Sequence, residues 1–122
     1  MVIHHGIPVL RIFDEQIARR FYVDALGMTI DWEHRFEPDL PLYFQVSRDE
    51  FTLHLSEHYG DGSPGGVVWI AVDDVRVLHD ELMALPFDLL HQRPGFEKHG
   101  PGGPGFSLGD PFHNQLRFAQ PE

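Results

Sequence analysis

The sequence predicts an α+β protein made of two tandem strand–helix–three-strand (βαβββ) modules, and three observations carry that prediction. An apolar run that ends on acid occurs twice: Ile7 to Phe13 stops at Asp14, and Val67 to Val72 stops at Asp73 and Asp74, with Asp74 lying 60 residues after Asp14. Behind each acid, apolar residues recur at helical spacing. Behind each helix come short runs with the alternation of half-buried strands. The first module spans about 7–58 and the second about 67–119, joined by a loop at 59–66, and a single domain covers residues 1–122.

Ile7 to Phe13 is rich in branched residues and reads as a strand. Asp14 is the helix N-cap, Glu15 sits in the positive first turn, and Ile17, Ala18, Phe21, Tyr22, Ala25 and Leu26 form the stripe. Gly27 supplies a left-handed stop. Three strands follow at Met28 to Phe36, Leu42 to Ser47 and Phe51 to Glu57, separated by the breaker Glu37 to Pro41 and a turn at Arg48 to Glu50. In the second module Val75, Leu78, Leu82, Met83 and Leu85 make a helix that ends before Pro86, because a residue ahead of proline disfavours the helical region. Candidate strands lie at Phe87 to Arg93, Phe106 to Gly109 and Gln115 to Ala119, interrupted by the Gly and Pro-rich stretch Gly100 to Gly105.

Alternation assigns the sheet faces. Leu42, Phe44 and Val46, like Phe51, Leu53 and Leu55 on the next strand, belong under a helix, whereas Tyr43, Gln45, Thr52 and His54 belong to the other face. One helix covers only one face of a sheet, so the second face is left open as a cleft or as solvated surface. In the second module Trp69 alternates with Val67 and Ala71 toward that open side.

Composition narrows the function classes. Nineteen acids against nine Lys and Arg give a net charge of -10, spread evenly between the halves, which opposes binding to nucleic acid or anionic lipid; it reads either as an ordinary soluble acidic surface, the commoner meaning, or as a field that attracts cationic ligands. The chain has no cysteine, so there is no disulfide framework or thiolate nucleophile, and a reducing cytoplasm is expected. No stretch approaches the roughly 18 apolar residues of a membrane span, and Met1 to Gly6 has no leader character. No nucleophile elbow, phosphate-cradling glycine loop or dinucleotide fingerprint is present. Asp73 and Asp74 are read as a solvated neighbour and a helix cap rather than a catalytic pair.

Several segments, taken in order, carry a resemblance: Pro8 to Asp14 (PVLRIFD), Phe21-Tyr22 with Ala25-Leu26-Gly27-Met28, Leu53 to Gly62 (LHLSEHYGDG), Val72-Asp73-Asp74-Val75, and Asp110-Pro111-Phe112-His113-Asn114. Together they resemble the vicinal oxygen chelate superfamily, which contains glyoxalases, extradiol dioxygenases and bleomycin-resistance proteins. The resemblance covers nearly the whole chain and implies the glyoxalase/bleomycin-resistance fold, in which each module curls its sheet into half of a cleft.

Metal-dependent members place ligands at positions that fall here on Ile7, His54, Val67 and Arg117. Only His54 is ligand-capable, one imidazole does not make a catalytic metal site, and Arg117 has the wrong sign beside a cation. The resemblance therefore implies a bleomycin-resistance-like protein: a homodimer without cofactor that sequesters a small, cationic, aromatic-bearing antibiotic. Candidate ligand-binding residues are Trp32, Phe36, Tyr43, His54, Trp69 and Arg117, with ordinary core packing an equal alternative for Trp32 and Phe36. The rival reading is a metal-dependent glyoxalase-like lyase or dioxygenase that uses His54 with other histidines. Two departures from the family pattern stand out. His99 to Gly105 lacks the usual Trp-Gly and reads as a lid or a plain loop, and His113 occupies a position where the family generally has glycine, which leaves Asn114 to supply a positive φ.

Overall fold

In the computed structural model, which describes residues 1–90 and 92–122, Asp14 and Asp74 start the two helices that the sequence places after them. Each carboxylate accepts a hydrogen bond from the backbone N–H three residues on, Asp14 from Ile17 at 3.0 Å and Asp74 from Val77 at 3.1 Å, which satisfies an otherwise orphaned donor. Helix α1 (Glu15–Arg19) runs into a π-helical stretch, Arg20–Ala25, and ends at Gly27 with φ 70°. Helix α2 is Val75–Met83.

The strands of the first module are β1 (Val9–Arg11), β2 (Thr29–His34), β3 (Tyr43–Arg48) and β4 (Phe51–Ser56). They form one sheet in the order β1-β4-β3-β2, with β1 parallel to β4 and the other pairs antiparallel. The β3–β4 turn carries Asp49 at φ 52°, a conformation that Asp tolerates and tight hairpins require. The second module contributes β5 (Val67–Ala71), β6 (Gly105–Gly109) and β7 (Gln115–Ala119), in the order β5-β7-β6. Its first strand again runs parallel to its last, the same closure as in module one.

The strand expected at Phe87 to Arg93 is corrected. Phe87–Leu90 is instead a short helix, α3, and His91 lies outside the described residues. Four residues, three of them apolar, cannot distinguish strand from helix by period, and here a helical turn sends Leu90 into the core while Asp88 meets Arg20 at 3.1 Å. The second sheet therefore has three strands among the described residues, not four. A single bridge, Glu97 to Gly105, lies beside β6.

Alternation sorted the faces correctly. Phe44, Val46, Leu53 and Leu55 are fully buried, as are Leu108 and Leu116 of the second sheet, and one cluster of buried side chains runs through both modules. Polar contacts cross between the modules as well. The Tyr22 hydroxyl donates to Asp110 at 2.6 Å, and Asn114 Nδ2 donates to the Arg11 carbonyl at 3.0 Å. Burial, reinforced by the Asp110 charge and hydrogen bond, pushes the Tyr22 phenol well above its ordinary pKa. Asp110 also accepts from the backbone N–H groups of Phe112 and Asn114, which ties down the turn ahead of β7. The left-handed residue in that turn is His113, at φ 70°, and not Asn114 as the sequence suggested; Asn114 is buried and holds the turn with its side chain. Among the described residues, no helix is long and apolar enough to cross a membrane.

Candidate functional site

The open face of the four-stranded sheet begins with a fault in β2. Ile30 pairs with Val46 but Trp32 pairs with Gln45, so Asp31 is an extra residue, a β-bulge. Strict alternation would put Trp32 on the same side as Ile30. The bulge moves it to the opposite face, where it is 42% exposed. Asp31 reaches the same face, and its carboxylate accepts from Gln45 Nε2 at 3.1 Å and Ser47 Oγ at 3.0 Å.

Tyr43, Gln45 and His54 complete the floor. The Tyr43 hydroxyl meets His54 Nδ1 at 2.6 Å, and His54 Nε2 meets Gln45 Oε1 at 2.9 Å. Trp32 lies nearly parallel to Tyr43, at 6.0 Å between ring centroids and 9° between planes, and edge-on to His54 at 5.1 Å. Phe36 continues the aromatic surface: it contacts His34 and His58 edge-on and is 65% exposed. Trp32, Glu33, His34, Phe36 and Tyr43 line a cavity of about 390 Å³. Trp32 and Phe36 thus belong to the open face, and core packing is excluded for both.

Two ionisation shifts agree with a neutral Tyr43–His54 pair. Burial, aided by the charge of Asp61, raises the Tyr43 phenol above its ordinary pKa, and burial lowers the His54 imidazole below its own. Separating charge between them would oppose both shifts, so the pair is built to hold hydrogen bonds rather than to exchange a proton.

The remaining candidates lie on the other sheet. Trp69 and Arg117 are cross-strand partners on the exposed face of β5 and β7, where Val67 and Ala71 flank the indole while Val68 and Ile70 point into the core. The Gly and Pro-rich segment is a strap against Trp69. The indole N–H donates to the Pro101 carbonyl at 3.3 Å, and a Cβ on Gly102 would lie 2.8 Å from Trp69 Cζ2, so only glycine permits this approach. Trp69 keeps 47% of its surface exposed.

The structure therefore brings Trp32, Tyr43 and His54 into direct contact, sets Phe36 beside them, and places Trp69 and Arg117 on a separate sheet. The residues absent from the sequence-based selection are Asp31 and Gln45; Gln45 was legible as open-face, whereas Asp31 depends on the bulge. The four metal-ligand positions implied by the resemblance, Ile7, His54, Val67 and Arg117, do not fit a divalent metal. Both His54 nitrogens are engaged, and among the described residues no three His, Asp or Glu side chains gather into a ligand set.

A family profile described as Glyoxalase superfamily protein matches residues 1–122. The chain belongs to the glyoxalase superfamily. Among solved structures, the bleomycin-binding protein from bleomycin-producing Streptomyces verticillus, complexed with copper(II)-bleomycin, is 29% identical with a TM-score of 0.72 and full coverage of both chains, 100% and 100%. TnmS3, an antibiotic binding protein from Streptomyces sp. CB03234, is 19% identical with a TM-score of 0.75 over 100% of this chain and 99% of its own. A bleomycin resistance determinant encoded on the transposon Tn5 is 21% identical with a TM-score of 0.73 over 98% and 99%. The glyoxalase/bleomycin-resistance fold and the bleomycin-resistance-like branch expected from the sequence are thereby established. No curated protein matches the chain.

Proposed function

We propose that this glyoxalase-superfamily protein is a homodimeric cleft protein that sequesters a small antibiotic of the bleomycin type, bearing cationic and aromatic groups, without changing it chemically. The observation that carries this reading is a pair of aromatic platforms, Trp32 stacked on Tyr43 on one sheet and Trp69 on the other, with each indole about half exposed on an open face. Flat faces stack an aromatic ligand and attract cations through their quadrupoles, and the acidic surface adds to the attraction. The bleomycin complex of the Streptomyces verticillus protein supports the same class of ligand.

The same exposure supports dimerisation. Val67 and Trp69 are each about half exposed, as is Trp32, more apolar surface than a lone cleft wall is expected to leave in water. In the proposed dimer the three-stranded face of one protomer stands opposite the four-stranded face of its partner, so that each cleft has an aromatic on both walls.

The test is a titration with metal-free and copper-loaded bleomycin, followed by tryptophan fluorescence and melting temperature. Saturable quenching and a rise in melting temperature are expected, and Trp69→Ala should weaken binding about tenfold, the value of one aromatic stacking contact. Drug recovered intact by mass spectrometry and a dimeric mass by light scattering are expected. No response in either signal at saturating drug would overturn the reading, and so would stoichiometric metal in protein purified without a histidine tag.

A further inference from the structure

The hydrogen bonds across the cleft floor form a chain whose direction is set at one end. Asp31 is a carboxylate and only accepts, so the Gln45 group that faces it at 3.1 Å is the amide nitrogen. That orientation turns Gln45 Oε1, an acceptor, toward His54 Nε2 at 2.9 Å, and the imidazole nitrogen there must carry the proton. In a neutral ring the other nitrogen, Nδ1, then has only a lone pair. The Tyr43 hydroxyl, 2.6 Å away, donates its hydrogen to Nδ1. Its oxygen is left with lone pairs, and Tyr43 lines the same cavity as Trp32.

We propose that Asp31, acting through Gln45 and His54, fixes the Tyr43 hydroxyl as a hydrogen-bond acceptor toward the cleft, so that the floor selects groups that donate N–H, such as ammonium or guanidinium, over equally charged groups that have no hydrogen to donate. Aromatic rings alone would not make that distinction, since a quaternary ammonium satisfies them as well as a primary one. A charge-assisted bond from N–H to the phenol oxygen does. Asp31, Gln45 and His54 are positioning residues here, and Tyr43 is the group that touches the ligand. The ligand class rests on the binding role proposed above for this cleft; the proton order does not.

On the sheet face that His54 shares, the titratable or charged groups are Arg11 on β1, two residues from His54's partner Val9, Asp31 and His34 on β2 and Tyr43 on β3, and Asp61 of the following loop acts on Tyr43. When His54 takes a second proton, Nδ1–H becomes the donor, Tyr43 accepts it, and the phenol hydrogen turns out toward the cleft. The preference for donors then disappears as the pH falls through the His54 titration, which burial holds below the ordinary histidine value.

Proton–nitrogen correlation spectra of the isotope-labelled intact chain read the tautomer without any ligand. At neutral pH His54 should be the Nε2–H form, and Asp31→Asn, whose carboxamide satisfies Gln45 in either orientation, should mix the two forms. A wild-type Nδ1–H ring, or an unchanged tautomer in Asp31→Asn, overturns the relay. The ligand arm uses phenethylammonium and its N,N,N-trimethyl analogue, followed through the Trp32 indole signal. Wild type should bind the first about tenfold more tightly, the scale of one charge-assisted hydrogen bond, and Tyr43→Phe should bind the two equally. Equal binding by wild type, or no binding of either, overturns the selectivity. Failure of bleomycin to bind while the two amines are still discriminated refutes the antibiotic reading alone and leaves this one standing.

Discussion

At His113 the backbone adopts φ 70°, in the left-handed region that costs an ordinary L residue roughly 1–2 kcal/mol. The side chain is exposed, and the turn is held by others: Asp110 accepts from the backbone of Phe112 and Asn114, and Asn114 Nδ2 returns to Asp110 at 2.8 Å. Little is lost by removing the imidazole. His113→Gly is therefore expected to stabilise the fold by about 0.5–1 kcal/mol, the relief of strain less the extra freedom of an unfolded glycine. Urea unfolding of the two proteins measures it, and equal midpoints would mean that the turn tolerates histidine without strain. The oddity of His113 was visible in the sequence, but the choice between it and Asn114 as the left-handed residue was not. That choice depends on where a buried amide finds partners, and Asn114 finds them in the other module at the Arg11 carbonyl.

Among the elements, β3 and β4 were readable almost residue by residue, because strict alternation and a single buried face leave only one register. Strand β2 was not. Its only unambiguous core residue is Ile30, and period two would have carried Trp32 and His34 with it, so Trp32 could equally have been core or cleft. No local pattern signals the extra residue at Asp31. The bulge yields a prediction that a regular strand would not. Deleting Asp31 leaves Ile30 opposite Val46 and Trp32 opposite Gln45, so every side chain keeps its face. Stability is expected to change by less than about 1 kcal/mol, since β2 is an edge strand and the deletion regularises its ladder. In a regular strand the same deletion would flip the flanking side chains and cost several times more, and thermal melting distinguishes the two outcomes. Helix α3 failed for the opposite reason: Phe87 to Leu90 is too short for its period to speak, and its conformation is decided by contact with the π-helical stretch of the other module.

For the whole molecule, the question is how two similar modules are held back to back while their open faces stay free. Part of the answer is the shared core, and part is an ion pair outside it. Arg48, at the end of β3, makes two hydrogen bonds to Glu81 on α2, at 2.8 and 2.9 Å, and a third to the Leu26 carbonyl at the end of the first helix. One guanidinium thus clasps a strand, a helix end and the second module. The hydrogen bonds from Arg48 lower the Glu81 carboxyl below its ordinary value; partial burial opposes this and the guanidinium charge adds to it. A carboxylate with a depressed folded pKa contributes stability that is present above its unfolded pKa and is lost as the pH falls through the folded value. Both side chains are more than a third exposed, so the contribution is about 1 kcal/mol at most. Glu81→Gln is therefore expected to melt roughly 4 °C below wild type at neutral pH. The gap should close as the pH drops below the ordinary glutamate range, where wild type becomes protonated and resembles the variant. Melting curves for the pair across that range measure it, and a gap that persisted in acid would mean that Glu81 acts through packing on α2 and that the clasp is not electrostatic.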